Sequence, residues 1–571
     1  MQPGKLVAAV QEERFSRVKN DRSLPTQAFE YCLDAGRLTI DDVDCIAFYE
    51  DTTAKLGRQL WMGMTPGISE ERRAAILRRA LSERPEQEIR RRWGYDGPFE
   101  FVDHHLSHAA SSFLFSGFDE SAILTVDGVG DWATTTYGAG SGTTIERFEQ
   151  VDYPHSLGLF YAAITGYLGF EVNEGEYKVM GLAPYGEPRL VDQVRQLLEP
   201  GEGGQFRLNL PYFAFQTRDR MFSDGLADLL GGPPRRAESA ITQFHMDVAR
   251  SAQVVLEDVL LEKVRYLHSR FPSDNLCMAG GVALNVVANR RCLEEGPFTH
   301  LFVQPAAGDA GGCLGAAAMV QARHLGTRPS HRLGHAYYGP AISVADTLEM
   351  LETSGATFTD YRGNESGLIT RTVDELIQGK VIGWVHGRME FGPRALGARS
   401  ILADPRRPDM RDRINAMIKQ RESFRPFAPA VLEARAQDYF ELTHPSPFML
   451  ETCRVRAPIP LPAVTHVDGS ARVQTVDAGT NRRFAALLAE FDRKAGCPIV
   501  LNTSFNMRGE PIVCSAVDAI ACFVRSNIDV LVLEDFVLDR TEVPVGWEFF
   551  LRGGASSGPR ASSDYTVYTF L

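Results

Sequence analysis

Apolar and polar positions along the first half of the chain predict strands and helices in alternation. Ala122–Val126 (AILTV) is a short β-type run that ends in Asp127-Gly128, and the sequence from Trp132 (WATTTYGAG) continues strand-like to glycines. Between Glu238 and Phe271 the apolar positions recur with helical spacing, through VVLEDVLLEKVRYL, and Asn275–Ala279 then reads as a buried strand ending at Gly280-Gly281. The pattern is mixed α/β. At the start, Gly4 predicts a hairpin turn and Lys5–Phe15 the strand leaving it. The texture changes over residues 323–360, where GTRPSHRLGHAYYGPAIS is rich in Gly, Pro and Ser and marks an exit from a first domain. A second α/β unit is expected from about Thr359, and the terminal GGASSGPRASSD reads as a low-complexity loop or tail. No fixed-period repeat is visible.

Composition narrows the class. A length of 571 residues exceeds one hydrophobic core, so two or more domains are expected. Apolar residues at 44% and charged residues at 23% are those of a soluble globular protein. The net charge of −13 disfavours a role in gripping nucleic acid. No segment reaches the roughly 18–20 apolar residues of a membrane helix. The short run Leu6–Val10 meets Gln11, Glu12 and Glu13 at once, so it is not a signal peptide. Nine cysteines without a C-x-x-C pair read as reduced thiols in a cytoplasmic protein.

Several motifs carry candidate chemistry. In DHHLSHAASSFLFSG, Ala109 and Ala110 favour a helix, which places His104 and His108 one turn apart on one face, able to share a metal ion. Neutral imidazole suits Fe or Zn, but two solvated histidines on a polar face give the same pattern, and His105 points elsewhere. Asp127-Gly128-Val129-Gly130-Asp131 follows a strand and could hold a metal, although a plain β-turn explains it equally. Gly308-Asp309-Ala310-Gly311-Gly312 opens a helix, where phosphate could sit and Asp309 could complete a metal shell. Gly280 and Gly281 let a ligand lie against backbone, and Asn285 could reach a ribose or base. There is no P-loop signature. Lys178, beside the turn at Gly181, could meet a phosphate or carbamoyl oxygen or be an ordinary surface lysine. The second half holds a cationic set: Arg394 in GPRALG, Lys419-Gln420-Arg421, Arg425 in FRPF, Arg472 in GSARVQTV, and Asn502-Thr503-Ser504-Phe505-Asn506. Arginine forks, a lysine charge and short polar side chains suit a small phosphorylated substrate, against the alternative of scattered surface ion pairs.

Together these motifs, from QEERFSR at Gln11–Arg17 to NTSFN-x-RGEPIV at Asn502–Val513, resemble the O-carbamoyltransferase family of antibiotic biosynthesis and nodulation, the family of the tobramycin carbamoyltransferase. The resemblance implies an actin-like ATPase domain (duplicated ribonuclease-H-like) over 1–355, a YrdC-like α/β domain over 356–545, and a tail over 546–571. It implies iron, or another divalent metal, on His104, His108, Asp127 and Asp309. The YrdC pattern K-x-R…S-x-N matches Lys419-x-Arg421 and Ser504-x-Asn506. Arg394, Lys419, Arg425, Asn502 and Ser504 are the implied catalytic contacts to carbamoyl phosphate and ATP. Lys178, Gly280, Gly281, Asn285, Gly308, Arg421, Arg472 and Asn506 are expected around nucleotide, with Mg as an open companion of ATP. The implied reaction makes carbamoyl-adenylate in the second domain and passes the carbamoyl group to a small-molecule hydroxyl in the first. Nucleic acid and membrane are not expected partners, and oligomeric state is left open. The family begins with a strand and a loop bearing a His-Asp pair ahead of GKLVAAVQEERFSR; neither is present here, which reads as a late-assigned start or a truncated variant with its transfer half incomplete. Hydrogenase maturation is disfavoured by the lack of paired C-x-x-C motifs and of an acylphosphatase module. A tRNA threonylcarbamoyl-type transferase and a nucleotide-binding pseudoenzyme stand as alternatives.

Overall fold

The computed structural model describes residues 1–80, 84–330, 332–419, 422, 424–544 and 546–547, and is mixed α/β. Side chains at 79, 80 and 419 fall outside that description, as do GGASSGPRASSD and all but two residues of the expected tail. The chain divides into two compact units. Among the described residues the first contains Met1–Val7 and Leu33–Leu333, and the second Ala8–Cys32 and 334–547. A stretch near the N-terminus therefore belongs with the C-terminal part. Among the described residues no helix is long and apolar enough to cross a membrane.

The first unit opens with a parallel pair, β1 (Ile46–Phe48) and β2 (Phe99–Phe101), followed by helix α1 (His104–Ser116). Strands β3 (Glu120–Val126), β4 (Ala133–Ser141) and β5 (Thr144–Asp152) form an antiparallel meander. Helices α2 (Leu157–Tyr167) and α3 (Gln243–Arg270) precede β6 (Asn275–Ala279), which joins β3 in parallel. Helix α4 (Val286–Glu295), strand β7 (His300–Val303) and helix α5 (Gly312–Leu325) complete the unit, and the sheet order is β5-β4-β3-β6-β7. β3 is buried from Ser121 to Val126, which explains why its sequence does not alternate: a central strand covered on both faces has no solvent side to show. Adjacent residues of β4 show both covers. Thr136 hydrogen-bonds Thr125, which bonds His105 of α1, whereas the Tyr137 ring meets Tyr266 of α3 edge-on at 5.5 Å.

The expected turn at Gly4 is present, with φ +69° and paired backbone bonds between Gln2 and Lys5. The expected strand over Lys5–Phe15 is not. Ala9 N donates to Tyr338 O at 3.2 Å, and Glu13–Ser16 forms a turn of helix. Leu6 and Ala9 are buried and the other apolar positions half-buried, and among the described residues no neighbouring strand supplies the other half of a ladder.

The second unit is built on an eight-stranded mixed sheet. Its elements are β8 (Thr359–Asp360), α6 (Glu365–Ile377), β9 (Ile382–Val385), β10 (Arg399–Ala403), β11 (Ala428–Leu432), β12 (Gln474–Val476), α7 (Arg482–Ala495), β13 (Ile499–Ser504), α8 (Ala516–Arg525), β14 (Val530–Leu533) and β15 (Phe536–Asp539). The order is β8-β15-β14-β9-β10-β13-β11-β12. Trp384, Ile401, Leu402, Val500, Leu501 and Leu531 are fully buried at its centre. Register fixes which strand ends meet. Val385 pairs with Arg399, Ser400 with Ser504, and Ala428 with Asn502, while β12 runs parallel to β11 with Gln474 opposite Ala430. The end of β9, the starts of β10, β11 and β12, and the end of β13 thus share one end of the sheet.

Candidate functional site

The first cluster is assembled by α1. Asp103 caps the helix, its Oδ1 accepting from Leu106 N at 2.8 Å, so the first helical residue is His104 and His108 follows one turn later. Their Nε2 atoms face each other at 3.0 Å. Asp127, just past the end of β3, brings Oδ2 to 3.2 Å from His104 Nε2 and 3.5 Å from His108 Nε2. Asp309, one turn ahead of α5, brings Oδ1 to 3.6 and 3.7 Å of the same nitrogens. One ligand atom from each of the four residues lies within 4.8 Å of the other three. The side chains of His104, His108 and Asp127 are at most 4% exposed but that of Asp309 is 39% exposed, so the cluster opens to solvent on the Asp309 side.

The surroundings fit this geometry closely. Gly281 N donates to Asp127 Oδ1 at 2.7 Å. Gly280 has φ +94°, and a Cβ there would lie 2.2 Å from Val126 O, so only glycine lets the exit of β6 run against the end of β3. A Cβ on Gly130 would lie 2.8 Å from both the His104 and His105 rings. Asp131 Oδ2 accepts from the backbone N–H groups of His104 and Asp51. Burial outweighs those bonds and pushes the Asp131 carboxyl up to about 6. His105 bonds Thr125 at 2.7 Å, and burial pushes its pKa far below the ordinary histidine value.

Electrostatics shows what the cluster is suited to hold. Burial opposes a charge on His104, yet the hydrogen bond to Asp127 and the charges of Asp309, Asp127 and Glu50 push its pKa up to about 9. His108 is raised for the same reasons. Against the cost of burial, the two imidazoles drive Asp127 well below the ordinary carboxylate range. Two adjacent anionic carboxylates thus pull positive charge onto two imidazoles at contact distance, which a cation would satisfy better than two protons. A set of two imidazole nitrogens and two carboxylate oxygens is right for Fe or Zn. Glu50 Oε1 stands 3.9 Å from His104 Nδ1, on the ring atom turned away from the other three ligands.

The residues expected around nucleotide fall into two groups. In the first unit, Gly280 and Gly281 line the cluster and Gly308 immediately precedes Asp309, with nothing within 4 Å of where its Cβ would be. Asn285 is buried and engaged: its Oδ1 caps α4 through Ala288 N at 3.1 Å, and its amide pairs with Gln253. Lys178 lies in the helix Glu176–Leu182 with its ammonium 5.4 Å from the centroid of the Phe170 ring. Burial raises the neighbouring Glu176 to about 7.

In the second unit the expected residues gather at the shared sheet end. Arg394 rides on the loop between β9 and β10, half-buried, and Glu390 Oε1 closes that loop by accepting from Leu396 N, Ala398 N and Arg399 N at 2.6, 2.7 and 3.3 Å. Asn502 is buried. Its amide donates to Ala395 O at 3.3 Å and to Gln474 Oε1 at 2.8 Å, and Gln474 donates to Leu396 O at 2.7 Å. Asn502 therefore holds the Arg394 loop, with Oδ1 buried and unbonded. Ser504 Oγ donates to Asn506 Oδ1 at 2.6 Å, and Asn506 donates to Met507 O and Glu510 O. Continuing the β11–β13 register backward from Ala428 sets Arg425 level with Ser504–Phe505, and Arg472 stands two residues ahead of Gln474 in β12. Lys419 closes a π-helical turn, Asn415–Lys419, a local distortion frequent at functional sites. Its side chain, and Arg421 entirely, lie outside the described residues. Glu390, Gln474 and Glu50 were not foreseen, since a loop-closing carboxylate or amide has no sequence signature of its own; Asp131 was visible only as the second acid of DGVGD.

Comparison with known proteins identifies the family. The pattern described as Carbamoyltransferase N-terminus matches residues 1–318, and that described as Carbamoyltransferase C-terminus matches residues 373–540. The uncharacterized protein sll1178 of Synechocystis is 44% identical over 95% of this chain and 94% of its own length. The nodulation protein NolNO of Sinorhizobium fredii is 40% identical over 99% of this chain and 82% of its own. Among solved structures, T. kodakarensis HypF aligns over 44% of this chain and 39% of its own at 16% identity with a TM-score of 0.24, too low to bear on the arrangement. With both halves of the family pattern in order and relatives matched nearly end to end, this chain is a transferase that belongs to the carbamoyltransferase family.

Proposed function

We propose that the protein is an O-carbamoyltransferase. It forms carbamoyl-adenylate from carbamoyl phosphate and ATP at the shared strand end of the second unit and transfers the carbamoyl group to a small-molecule hydroxyl in the first. The observation that carries this reading is the convergence of the segments bearing Arg394, Arg425, Arg472 and Ser504 on one end of four adjacent strands. Scattered surface ion pairs would not share a strand end. The sheet order of the first unit, 3-2-1-4-5 with the second strand reversed, supports a ribonuclease-H-like element and so the actin-like reading. The second unit is read as YrdC-like on its motif residues. Free thiols at all nine cysteines suit the reducing cytoplasm.

In the donor step water releases phosphate from carbamoyl phosphate. A carbamate oxygen then attacks the α-phosphorus of ATP, forming carbamoyl-adenylate and expelling pyrophosphate. The guanidinium groups of Arg394, Arg425 and Arg472 stabilise charge building on phosphoryl oxygens, and Asn502 with Gln474 keeps the Arg394 loop in place. In the transfer step the acceptor hydroxyl attacks the carbamoyl carbon and AMP leaves. His104, His108, Asp127 and Asp309 would hold a divalent ion, iron being the family's, which supplies Lewis-acid orientation of phosphate oxygens when bound. The open Asp309 side is where nucleotide would reach the cluster, past Gly308. The test is pyrophosphate release from ATP and carbamoyl phosphate without acceptor, followed by a search for a carbamoyl mass gain on candidate alcohols. Absence of carbamoyl-phosphate-dependent pyrophosphate release would overturn the donor half of the proposal.

A further inference from the structure

The segment Gln11–Arg17 (QEERFSR) is read above only as a family mark, yet its side chains reach the donor end of the second unit. Arg14 is 3% exposed. Its Nη2 donates to Gly392 O at 2.9 Å, and Nη1 pairs with Glu13 at 2.9 Å. Gly392 has φ +118° and lies two residues before Arg394. Phe15 packs against Met389, Ile512 and Cys514. Arg17 donates from Nη1 to Ile512 O at 2.7 Å and from Nη2 to Pro511 O at 2.9 Å, with Asp518 3.4 Å from its Nε. Arg17 itself has φ +58°, which turns its side chain off the end of the Glu13–Ser16 helix. Glu12 anchors the base of the segment by accepting from Ala28 N at 2.8 Å.

The backbone carbonyls that Arg14 and Arg17 meet fall on two loops: the Met389–Ala398 loop that carries Arg394, and the Phe505–Cys514 loop that follows Ser504 and carries Asn506. The loops leave neighbouring strands at the same sheet end, where Phe505 N bonds Arg399 O at 3.0 Å. There Met389 of one loop packs with Ile512 and Cys514 of the other, and four consecutive residues bridge the two: Arg14 on one, Phe15 between, Arg17 on the other. Burying an arginine is costly, and desolvation lowers the Arg14 pKa. Such a group persists where it fixes a specific arrangement.

We propose that Arg14 and Arg17 are positioning residues for the donor step: they set the spacing between the Arg394 loop and the Ser504–Asn506 loop and so the width of the carbamoyl-phosphate site. This rests on the donor reading proposed above. Neither residue touches substrate; each acts on backbone carbonyls of loops whose side chains do.

Pyrophosphate release without acceptor tests this with Arg14→Met and Arg17→Met in the full chain, and with Arg540→Met as the comparison. Arg540 donates equivalent bonds to Phe523 O and Val524 O at 2.8 and 2.9 Å, but beside Asp529, at the opposite end of the same sheet. Arg17→Met is expected to raise KM for carbamoyl phosphate about ten- to a hundredfold, with a smaller change in kcat, and Arg14→Met at least as much. Arg540→Met is expected to lower the melting temperature comparably and leave that KM unchanged. Should Arg14→Met not fold, Arg17→Met decides alone. Equal KM in the wild type and Arg17→Met, or an equal KM rise in Arg540→Met, overturns the positioning role. Absent pyrophosphate release in the wild type overturns the donor reading itself, which keeps the two failures apart.

Discussion

Gly315→Ala offers the sharpest check on how the metal cluster is built. Gly315 lies on α5 where it crosses α1, and a methyl there would sit 1.8 Å from Ser107 O and 2.7 Å from Ser111 N. Both are backbone atoms, so no rotamer change relieves the overlap. An ordinary contact begins at 3.4 Å, so the helices must part by up to 3.4 − 1.8 = 1.6 Å. His104 and His108 ride on α1, whereas Asp309 leads directly into α5. A separation of that size would stretch the His104–Asp309 distance from 3.6 Å to about 5 Å, and misplacement on the order of 1 Å costs roughly a hundredfold in site function. Overpacking adds about 1–3 kcal/mol of destabilisation. Helix propensity alone predicts the reverse, a gain of up to about 1 kcal/mol for Gly→Ala. Gly57→Ala isolates that effect, because its new Cβ meets nothing within 4 Å in the helix Thr52–Gly63. Scanning calorimetry should show Gly57→Ala melting at or above wild type and Gly315→Ala below it. Iron(II) or zinc titration should show weakened binding only for Gly315→Ala. A Gly315→Ala protein that melts like Gly57→Ala and binds metal like wild type would refute the backbone-contact argument.

Other outcomes follow from the same geometry. Asp127→Asn keeps the shape of the side chain but removes the charge that holds His104 and His108 protonated; metal affinity by calorimetry should fall at least about tenfold, as should carbamoyl transfer, while acceptor-free pyrophosphate release is unchanged. His104 is charged below about 9 without metal and must be neutral to ligate, so affinity should rise with pH, by up to roughly tenfold per unit, and flatten above about 9. Glu534 is buried and accepts from His386 Nδ1 at 2.7 Å and Gly387 N at 2.8 Å. Despite the opposing cost of burial, these partners lower its pKa below the usual glutamate value of 4.5. A lowered folded pKa gives stability that is present above 4.5 and lost as pH falls through the folded value, so Glu534→Gln should flatten the acid limb of the melting-temperature profile below pH 4.5. Gln474→Leu removes both the bond to Leu396 O and the partner of the Asn502 amide; KM for carbamoyl phosphate in pyrophosphate release should rise about tenfold or more.

Local pattern determined much of this protein. The β-type run Ala122–Val126 demanded a strand, the periodic stretch before Phe271 demanded a long helix, and the i, i+4 spacing put His104 and His108 on one face, because strand and helix geometry act over a few residues. The same locality misled at Lys5–Phe15, where an apolar run looked like a strand but pairs with no strand among the described residues. Only the tertiary structure brought Asp127 and Asp309 to those histidines, since each arrives from a different element and spacing in sequence says nothing of distance in space. It also turned Asn285 and Asn502 inward, to a helix cap and a loop, where the buried NH2 group of each finds an acceptor. Finally, it assigned Ala8–Cys32 to the second unit and set Arg14 against Gly392, 378 residues away, a contact that depends on where the chain folds back rather than on any pattern in either segment.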